Sequence, residues 1–367
     1  MTQHEEFIDL ALGEAARGKG SVEPNPQVGA VLVKDGDVIA TGYHARFGGP
    51  HAEIDAIRAA GAAAEKSTLY VTLEPCSHQG KTPPCTTAII QAGITKVVAA
   101  MQDPNPLVSG KGLHTLHNAG ISVINGVLEE KARRLNAPYI KLTTTGMPYI
   151  TAKWAMTLDG KIATSTNQSQ WISSEESRSL VHELRGRMDA VIVGIGTVLA
   201  DDPLLTARGK GPRVPTRVIL DSRARTPLDS KLLRTLSEGP VLVVTASDAS
   251  GRALENLRRA GAEVISTASA ERVDVEELLS ALGLRQMTNV LLEGGKAVFG
   301  SFFDKKLVDA GKVFVSPKVF GGTDAPSPVG GQGIDLVTTA YVMQDAVFTE
   351  VAGDILIEGT FANLKAD

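Results

Sequence analysis

From Gln3 onward the apolar residues Phe7, Ile8, Leu10, Ala11 and Ala15 recur at helical spacing, and Gly18 and Gly20 end the pattern, so the chain opens with an amphipathic helix. Ala30 to Val33 is a short apolar run, Asp35-Gly36 is a hairpin turn signal, and Val38 to Tyr43 returns as the partner strand. The pattern next predicts a helix opening near His51, a strand at Thr68 to Leu73 and a helix at Cys85 to Ala92. A strand at Lys96 to Ala100, a helix near Leu113 to Ala119 and a strand at Ile121 to Ile124 complete the series. Helices alternating with strands in this way form a layered α/β domain.

Glu129 to Lys141 reads as one helix, and Gly146-Met147-Pro148 breaks the periodicity ahead of the extended run Tyr149 to Ala155. The domain junction is placed there, giving domains 1–146 and 147–367. The second half alternates again. It predicts a helix at Glu175 to Arg187, strands at Ala190 to Val193, Arg217 to Leu220 and Val241 to Thr245, and helices at Ala253 to Ala260 and Val275 to Leu282. A strand at Asn289 to Leu292, a helix at Ala297 to Phe303, a strand at Lys312 to Val315 and late strands around Val347 and Ile355 follow. This half is also α/β, with antiparallel edges expected toward the C-terminus. The loop from Thr206 to Thr216, with Arg208, Lys210 and Arg213, reads as a solvated connector.

At 367 residues the chain has room for two domains of ordinary size, about 100–200 residues each. With 43% apolar and 21% charged residues it can bury a core, which excludes disordered, collagen-like and coiled-coil classes. No apolar run approaches the roughly 18 residues of a membrane span, and Glu5, Glu6, Asp9 and Glu14 make the first stretch unlike a signal peptide. A cytoplasmic protein is expected. The formal charge of −4, without a Lys/Arg block, gives no electrostatic footprint for nucleic acid or an anionic membrane, leaving a small molecule as the expected partner. Two cysteines cannot make a disulfide framework, and in a reducing compartment a close pair more often serves metal or catalysis.

His51-Ala52-Glu53 is followed by Pro75-Cys76 and, after eight intervening residues, Cys85. Two thiolates and one imidazole fill three of the four tetrahedral positions zinc prefers, and a catalytic zinc keeps the fourth for water. Zinc lowers the pKa of that water to about 7, and Glu53, two residues beyond His51 at a helix start, is placed to take its proton. One carboxyl group shuttling protons serves both attack on an amidine carbon and expulsion of ammonia, so the set predicts hydrolytic deamination. The familiar deaminase pattern is H-x-E followed by P-C-x-x-C, and the longer spacer here departs from it. His78 and His44 are competing ligands, or else loop residues near the substrate. The bland alternative makes the cysteines small buried hydrophobes and His51 a helix-end residue.

In the second half Gly194-Ile195-Gly196 follows a strand, but Leu199 stands where G-x-G-x-x-G needs its third glycine, so a Rossmann domain is not supported. Glu293-Gly294-Gly295-Lys296 and Gly300 instead set glycines between a strand and a helix. Free backbone N–H groups there hold a diphosphate, or the glycines simply make a turn.

The blocks Pro24-Asn25-Pro26-Gln27-Val28-Gly29, Gly49-Pro50-His51-Ala52-Glu53, Thr72-Leu73-Glu74-Pro75-Cys76-Ser77-His78, Gly80-Lys81-Thr82-Pro83-Pro84-Cys85 and Gln102-Asp103-Pro104-Asn105-Pro106 carry a family resemblance. Leu158-Asp159-Gly160-Lys161, Ser169-Gln170-Trp171-Ile172, Val198 to Thr206 and Glu293-Gly294-Gly295 extend it. Over nearly its whole length the chain resembles the bifunctional deaminase–reductases of riboflavin biosynthesis, whose own pattern includes the long spacer between the cysteines. The resemblance implies a cytidine-deaminase-like three-layer domain, then a dihydrofolate-reductase-like α/β domain using NADPH. It implies a diaminopyrimidinone carrying a ribosylamino 5′-phosphate as substrate, deaminated at ring position 2 and then reduced at C1′ of the sugar. A homo-oligomer is expected mostly on the same ground.

On that resemblance His51, Cys76 and Cys85 hold zinc and Glu53 is catalytic. Asn25 is a pocket amide or a turn residue between two prolines, and Lys81 and His44 are phosphate contacts, with Lys81 alternatively a solvated charge. Ala155, Trp171, Thr197, Asp201, Ser222 and the run Gly294, Gly295, Lys296, Ala297, Val298, Phe299 and Gly300 contact the cofactor. Ser169, Arg185, Leu205, Arg208 and Glu293 contact the second domain's substrate. Arg185 and Arg208 are suited to grip a phosphate with forked bonds, although Arg185 lies where helix-face salt links are ordinary. Trp171 is equally natural as core, Asp201 as a turn residue. Asp201 or Lys153 is the candidate proton donor for the reduction. The competing classes are a nucleoside or tRNA deaminase with an accessory domain, the tRNA enzyme needing a basic stripe that this chain lacks, and a zinc-stabilised module without activity.

Overall fold

The structure, a computed structural model, describes residues 1–77, 83–106 and 108–361. The chain divides into two compact units, Met1–Met147 and Pro148–Asp367, beside the Gly146-Met147-Pro148 break. In the first unit the order is α1 (Gln3–Ala16), β1 (Gly29–Lys34), β2 (Asp37–Tyr43), α2 (Ala52–Ala60), β3 (Thr68–Val71), α3 (Cys85–Gln91), β4 (Lys96–Ala99), α4 (Lys111–Asn118), β5 (Ser122–Asn125), α5 (Glu129–Leu135) and α6 (Ala137–Thr145). Thr2 and Glu5 close a capping box at the first helix, which is why the periodic pattern takes hold at Gln3.

Five strands form one sheet in the order β2-β1-β3-β4-β5, with the hairpin antiparallel and β3, β4 and β5 parallel. Alternation along β1 sends Ala30 and Leu32 to one face with Ala52 and Ala56 of α2, Ile89 of α3 and Leu116 of α4. Val31 and Val33 go to the other face, with Ile8, Ala11 and Leu12 of α1 and Ala132 of α5. Both faces are therefore covered, and the unit has three layers.

The helix expected from Glu129 to Lys141 divides at Asn136, which leaves helical geometry at φ −101° and ψ 16°. Its side chain accepts from Gln27 N at 2.8 Å and donates to Gln27 O at 2.9 Å, so a local side-chain pairing replaces a helical turn. Glu74, just ahead of Pro75-Cys76 and 3% exposed, has a similar role on a larger scale. Its carboxylate accepts from the backbone N–H groups of Asp103, Gly110, Gly112 and Leu113 at 2.8–3.4 Å. Gly112 is required there, since a Cβ would lie 2.0 Å from Pro75 O. Glu74→Ala strands those N–H groups and is expected to cost the first unit about 3 kcal/mol. Urea unfolding followed by far-UV circular dichroism checks it. Trp154 and Trp171, the only tryptophans, lie in the second unit and report that unit separately by fluorescence.

In the second unit the order is β6 (Tyr149–Thr157), α7 (Glu175–Arg185), β7 (Ala190–Gly194), α8 (Ile195–Asp201), β8 (Thr216–Leu220), α9 (Lys231–Arg234), β9 (Val241–Thr245), α10 (Gly251–Arg259), β10 (Glu263–Ser266), α11 (Val275–Leu284), β11 (Asn289–Gly294), α12 (Lys296–Asp304), β12 (Ala310–Ser316), β13 (Met343–Val351) and β14 (Asp354–Phe361). The sheet runs β10-β9-β8-β7-β11-β6-β12-β14-β13, parallel as far as β12 and antiparallel through β14 and β13. The antiparallel C-terminal edge matches the expectation. Strand β10 went unpredicted because this edge element has exposed ends, Glu263 and Ser266, around two half-buried residues, too little apolar alternation to register.

Candidate active sites

His51 is the N-cap of α2 at φ −74° and ψ 159°, and its side chain makes no capping bond, so the imidazole is free to face elsewhere. Its Nδ1 lies 3.2 Å from Cys85 Sγ and 3.6 Å from Cys76 Sγ. Cys85 is the first residue of α3, and its N–H donates to Cys76 Sγ at 3.3 Å. The three donor atoms lie within 4.8 Å of one another. A tetrahedral zinc with bonds of about 2.3 Å to sulfur and 2.0 Å to nitrogen sets such donors about 3.5 Å apart, so the residues fit the ion. Among the described residues no fourth His, Cys, Asp or Glu joins the group.

A hydrogen bond from Cys85, helped by His51, pulls the Cys76 thiol down to about 4, while the Cys76 sulfur and burial push Cys85 up. One proton shared between two crowded sulfurs is the metal-free form of a pair that a cation would hold as thiolates. Glu53, 3% exposed at the start of α2, has its pKa raised by burial, against the opposing influence of His51. A carboxyl group so placed takes up and releases a proton readily.

His44 does not behave as expected. It is 3% exposed and both ring nitrogens are engaged within the chain, so it neither joins the metal group nor reaches for a phosphate. Nδ1 lies 2.8 Å from Pro50 O and must donate to it, which leaves Nε2 to accept from Asn25 Nδ2 at 3.1 Å. Burial lowers the His44 pKa, consistent with a neutral ring. This fixes the Asn25 amide with its nitrogen on His44, leaving its carbonyl oxygen as an acceptor. His78 and Lys81 lie outside the described residues.

In the second unit a cavity of about 1400 Å³ lies along the carboxyl ends of β8, β7 and β11 and beside β6, the usual place for ligands in parallel sheets. Ala155, Trp171, Thr197, Asp201, Ser222, Gly295, Lys296, Ala297, Val298 and Phe299 line it, as do Ser169, Arg185, Leu205, Arg208 and Glu293. Gly300 does not. It is buried, and a Cβ there would lie 2.4–2.7 Å from the backbone of Gly330 and Gly331, so this glycine serves packing rather than a ligand. Gly294 ends β11 at φ +126° without reaching the lining and contributes the turn into α12. Gly295, at φ +80°, caps α12 with bare backbone close to Thr197, and its neighbouring N–H groups fit a diphosphate.

Arg185 departs from its expected use. Its fork is already engaged by Glu293, Nε to Oε1 at 2.6 Å and Nη2 to Oε2 at 2.8 Å. Burial opposes the charge on Glu293, but Arg185 holds the carboxyl below its usual range. Arg208 also lines the cavity, has no ion-pair partner among the described residues and is open to a phosphate. Lys153 on β6 faces the same pair, and burial lowers its pKa while Glu293 opposes the drop. Asp201 accepts from Ser169 Oγ at 2.9 Å. Trp171 is not core. It is 59% exposed, with the Arg178 guanidinium 4.5 Å from its ring centroid and Lys318 Nζ donating to its carbonyl. His182, which sequence reading missed, lines the cavity three residues before Arg185, and that helical spacing was the available signal.

Known proteins that share these two units are zinc-dependent deaminases joined to reductases. The family model of the RibD C-terminal domain matches residues 148–356, and that of the cytidine and deoxycytidylate deaminase zinc-binding region matches residues 1–101. Riboflavin biosynthesis protein RibD of Aquifex aeolicus is 46% identical over 316 residues, covering 86% of this chain and 87% of that protein. The Escherichia coli protein of the same name is 39% identical over 332 residues, covering 87% and 89%. The solved structure of Acinetobacter baumannii RibD, form 1, agrees with TM-score 0.85 at 36% identity, covering 98% of this chain and 99% of that one. The diaminohydroxyphosphoribosylaminopyrimidine deaminase/5-amino-6-(5-phosphoribosylamino)uracil reductase of Thermotoga maritima agrees at 0.83 and 39%, with 98% and 99% covered.

The chain belongs to the RibD family, the bifunctional deaminase/reductases of riboflavin biosynthesis. Its fold is a cytidine-deaminase-like domain followed by the RibD reductase domain, and its cofactors are zinc and NADPH. A nucleoside or tRNA deaminase with an accessory domain is thereby set aside. It is an enzyme of small molecules, and among the described residues no helix is long and apolar enough to cross a membrane.

Proposed function

We propose that domain 1–146 deaminates 2,5-diamino-6-(5-phosphoribosylamino)pyrimidin-4(3H)-one at ring position 2, and that domain 147–367 then reduces its ribosyl group to give 5-amino-6-(5-phosphoribitylamino)uracil. The observation that carries this is a buried carboxyl, Glu53, set against a converging His51, Cys76 and Cys85. Zinc, when bound by those three residues, supplies the Lewis acidity that makes a water nucleophilic near neutral pH, and NADPH supplies the reducing hydride. Glu53 takes a proton from the attacking water and passes it to the ring nitrogen, then takes the second from the hydroxyl left on the carbon and passes it to the departing amine, so water enters and ammonia leaves. Asn25, its amide oriented by His44, accepts an N–H of the base edge through its oxygen.

In the reductase domain the C1′–O4′ bond breaks, a C1′–H bond forms and O4′ gains a proton. Lys153 donates that proton. Its depressed pKa beside Glu293 and Arg185 supports this choice over Asp201, whose carboxylate already accepts a hydroxyl from Ser169. Arg208 and His182 meet the sugar phosphate, Ser169 and Leu205 border the substrate, and Trp171, Thr197 and the Gly295 to Phe299 turn meet the cofactor. The unpaired thiols support a cytoplasmic enzyme and the charge of −4 one without nucleic-acid or membrane partners. Val347 and Phe348, exposed on β13, support a homo-oligomer, which sedimentation velocity tests.

The test supplies the diaminopyrimidinone ribosyl phosphate to zinc-loaded protein. Ammonia should appear first and NADPH oxidation should follow. Chelating the zinc should stop ammonia release while the deaminated compound is still reduced. NADPH oxidation on the diamino compound without ammonia release would overturn the reading.

A further inference from the structure

The segment from Thr206 to Thr216 is not the solvated connector that its charges and its Gly and Pro residues suggest. It starts at the reductase cavity, where Leu205 and Arg208 form part of the wall, and enters β8 at Thr216. Contacts fix it to α7 and to the turn that follows. Thr206 O accepts from His182 Nδ1 and from Arg185 Nη1, both at 3.3 Å. Lys210 Nζ donates to Ser179 Oγ and lies 3.5 Å from Glu183 Oε1. Arg213 N donates to Gly186 O at 2.9 Å, and the Arg213 guanidinium pairs with Asp189. Gly186, which ends α7, and Gly211 let the two backbones touch. A Cβ on Gly186 would strike Lys210 O, and one on Gly211 would lie 2.5 Å from Gly186 O.

The backbone at the cavity end is one that an arginine avoids. Lys210 N donates to Ala207 O at 3.0 Å, closing a tight turn whose central residues, Arg208 at φ +50° and Gly209 at φ +74°, are both left-handed. Turns of that kind favour Asn-Gly, because a residue with a Cβ is crowded at positive φ. A strained residue persists where its surroundings fix it, and here the docking on α7 does so. The Arg208 side chain is thereby presented to the cavity beside His182, whose pKa is lowered by burial, by Arg185 and by Arg208.

We propose that Gly186, Gly211 and the Arg213–Asp189 pair are positioning residues for Arg208, and that through it they make the reductase domain prefer a phosphorylated ribosylamino substrate over an unphosphorylated one. This rests on reading Arg208 as a contact of the sugar phosphate. None of the four lines the cavity, so each acts through the arginine. An arginine on a loose loop would be ordered only as the phosphate arrives, and the lost freedom would weaken binding. Docking removes the backbone part of that loss beforehand, so the fork meets the dianion already placed. Asp189 is a firm anchor for the far end. Its Oδ2 accepts from Thr288 N at 2.8 Å, Thr288 Oγ1 at 3.0 Å and Asn289 N at 2.9 Å, which ties Arg213 to the start of β11.

The experiment measures steady-state reduction by full-length, zinc-loaded protein at saturating NADPH, using 5-amino-6-(5-phosphoribosylamino)uracil and its dephosphorylated counterpart. Gly211→Ala and Arg213→Gln should each raise KM for the phosphorylated compound about tenfold and leave kcat within about twofold. For the dephosphorylated compound kcat/KM should stay within about twofold. Arg213→Gln carries the test if Gly211→Ala fails to fold, and Arg213→Lys, which keeps a charge opposite Asp189, should recover part of the loss. Arg208→Asn suits the turn and should cut the preference for the phosphate by about tenfold or more, and adding Arg213→Gln to it should change less than about twofold. Equal losses on both compounds, or a second tenfold loss in the double variant, overturn the proposal. If Arg208→Asn leaves the preference intact, the reading of Arg208 fails and takes this inference with it. If Arg208→Asn removes the preference while Gly211→Ala and Arg213→Gln retain it, only the positioning role is wrong.

Discussion

Glu53→Gln is expected to lower the deamination rate by about 10²–10⁴-fold while the protein keeps one zinc per chain and reduces the deaminated compound at the normal rate. The substitution retains size and hydrogen-bonding ability but removes the group that gains and loses a proton. Glu53 is not among the three converging donors, His51, Cys76 and Cys85, so metal content measured by plasma emission should not move. Its pKa is raised by burial, which favours the protonated one of the carboxyl's two forms relative to an exposed glutamate. An amide has no such pair of forms. Deamination persisting within tenfold would show that another group moves the proton. Loss of zinc along with activity would make Glu53 part of the metal's support instead.

The metal group was legible because its residue types are scarce and ordered. With only two cysteines in the chain, H-x-E, P-C and C leave little room for another pairing. What governs their surroundings was not legible. The Asn25 amide is oriented through His44 by the carbonyl of Pro50, and no residue type announces a carbonyl. Glu74 reads as part of a motif, but its four partners are backbone N–H groups 29 to 39 positions away, visible only once α4 and the loop before it are in place. Arg185 and Glu293 were both singled out, yet the sequence could not show them closing on each other across 108 positions. The alternating fold came through wherever a strand has a buried face, and failed at β10 and at Asn136, where edge exposure and a side-chain pairing override periodicity, and at α8 and α9, which at seven and four residues are too short for a helical period to show.

The pairing of Arg185 with Glu293 also decides the second large effect. Arg185 is locked by two bonds to the carboxylate and keeps its charge, so it cannot give up a proton at working pH. Lys153, facing the same carboxylate with its pKa lowered by burial, can. Lys153→Met is expected to cut reduction by about 10²–10⁴-fold while ammonia release and the affinity for NADPH stay within about twofold. Methionine keeps the length and packing against Phe314, whose ring centroid is 5.8 Å from Nζ, so a folding defect is not expected and a thermal melt checks this.

The pH profile gives the sign. A general acid works in its protonated form, so the wild-type rate should fall as pH rises through the folded-state pKa of Lys153, which lies below its ordinary value of 10.5. That alkaline limb should vanish in Lys153→Met and remain in Asp201→Asn. A limb that survives Lys153→Met, or one that disappears with Asp201→Asn, transfers the proton donor to Asp201.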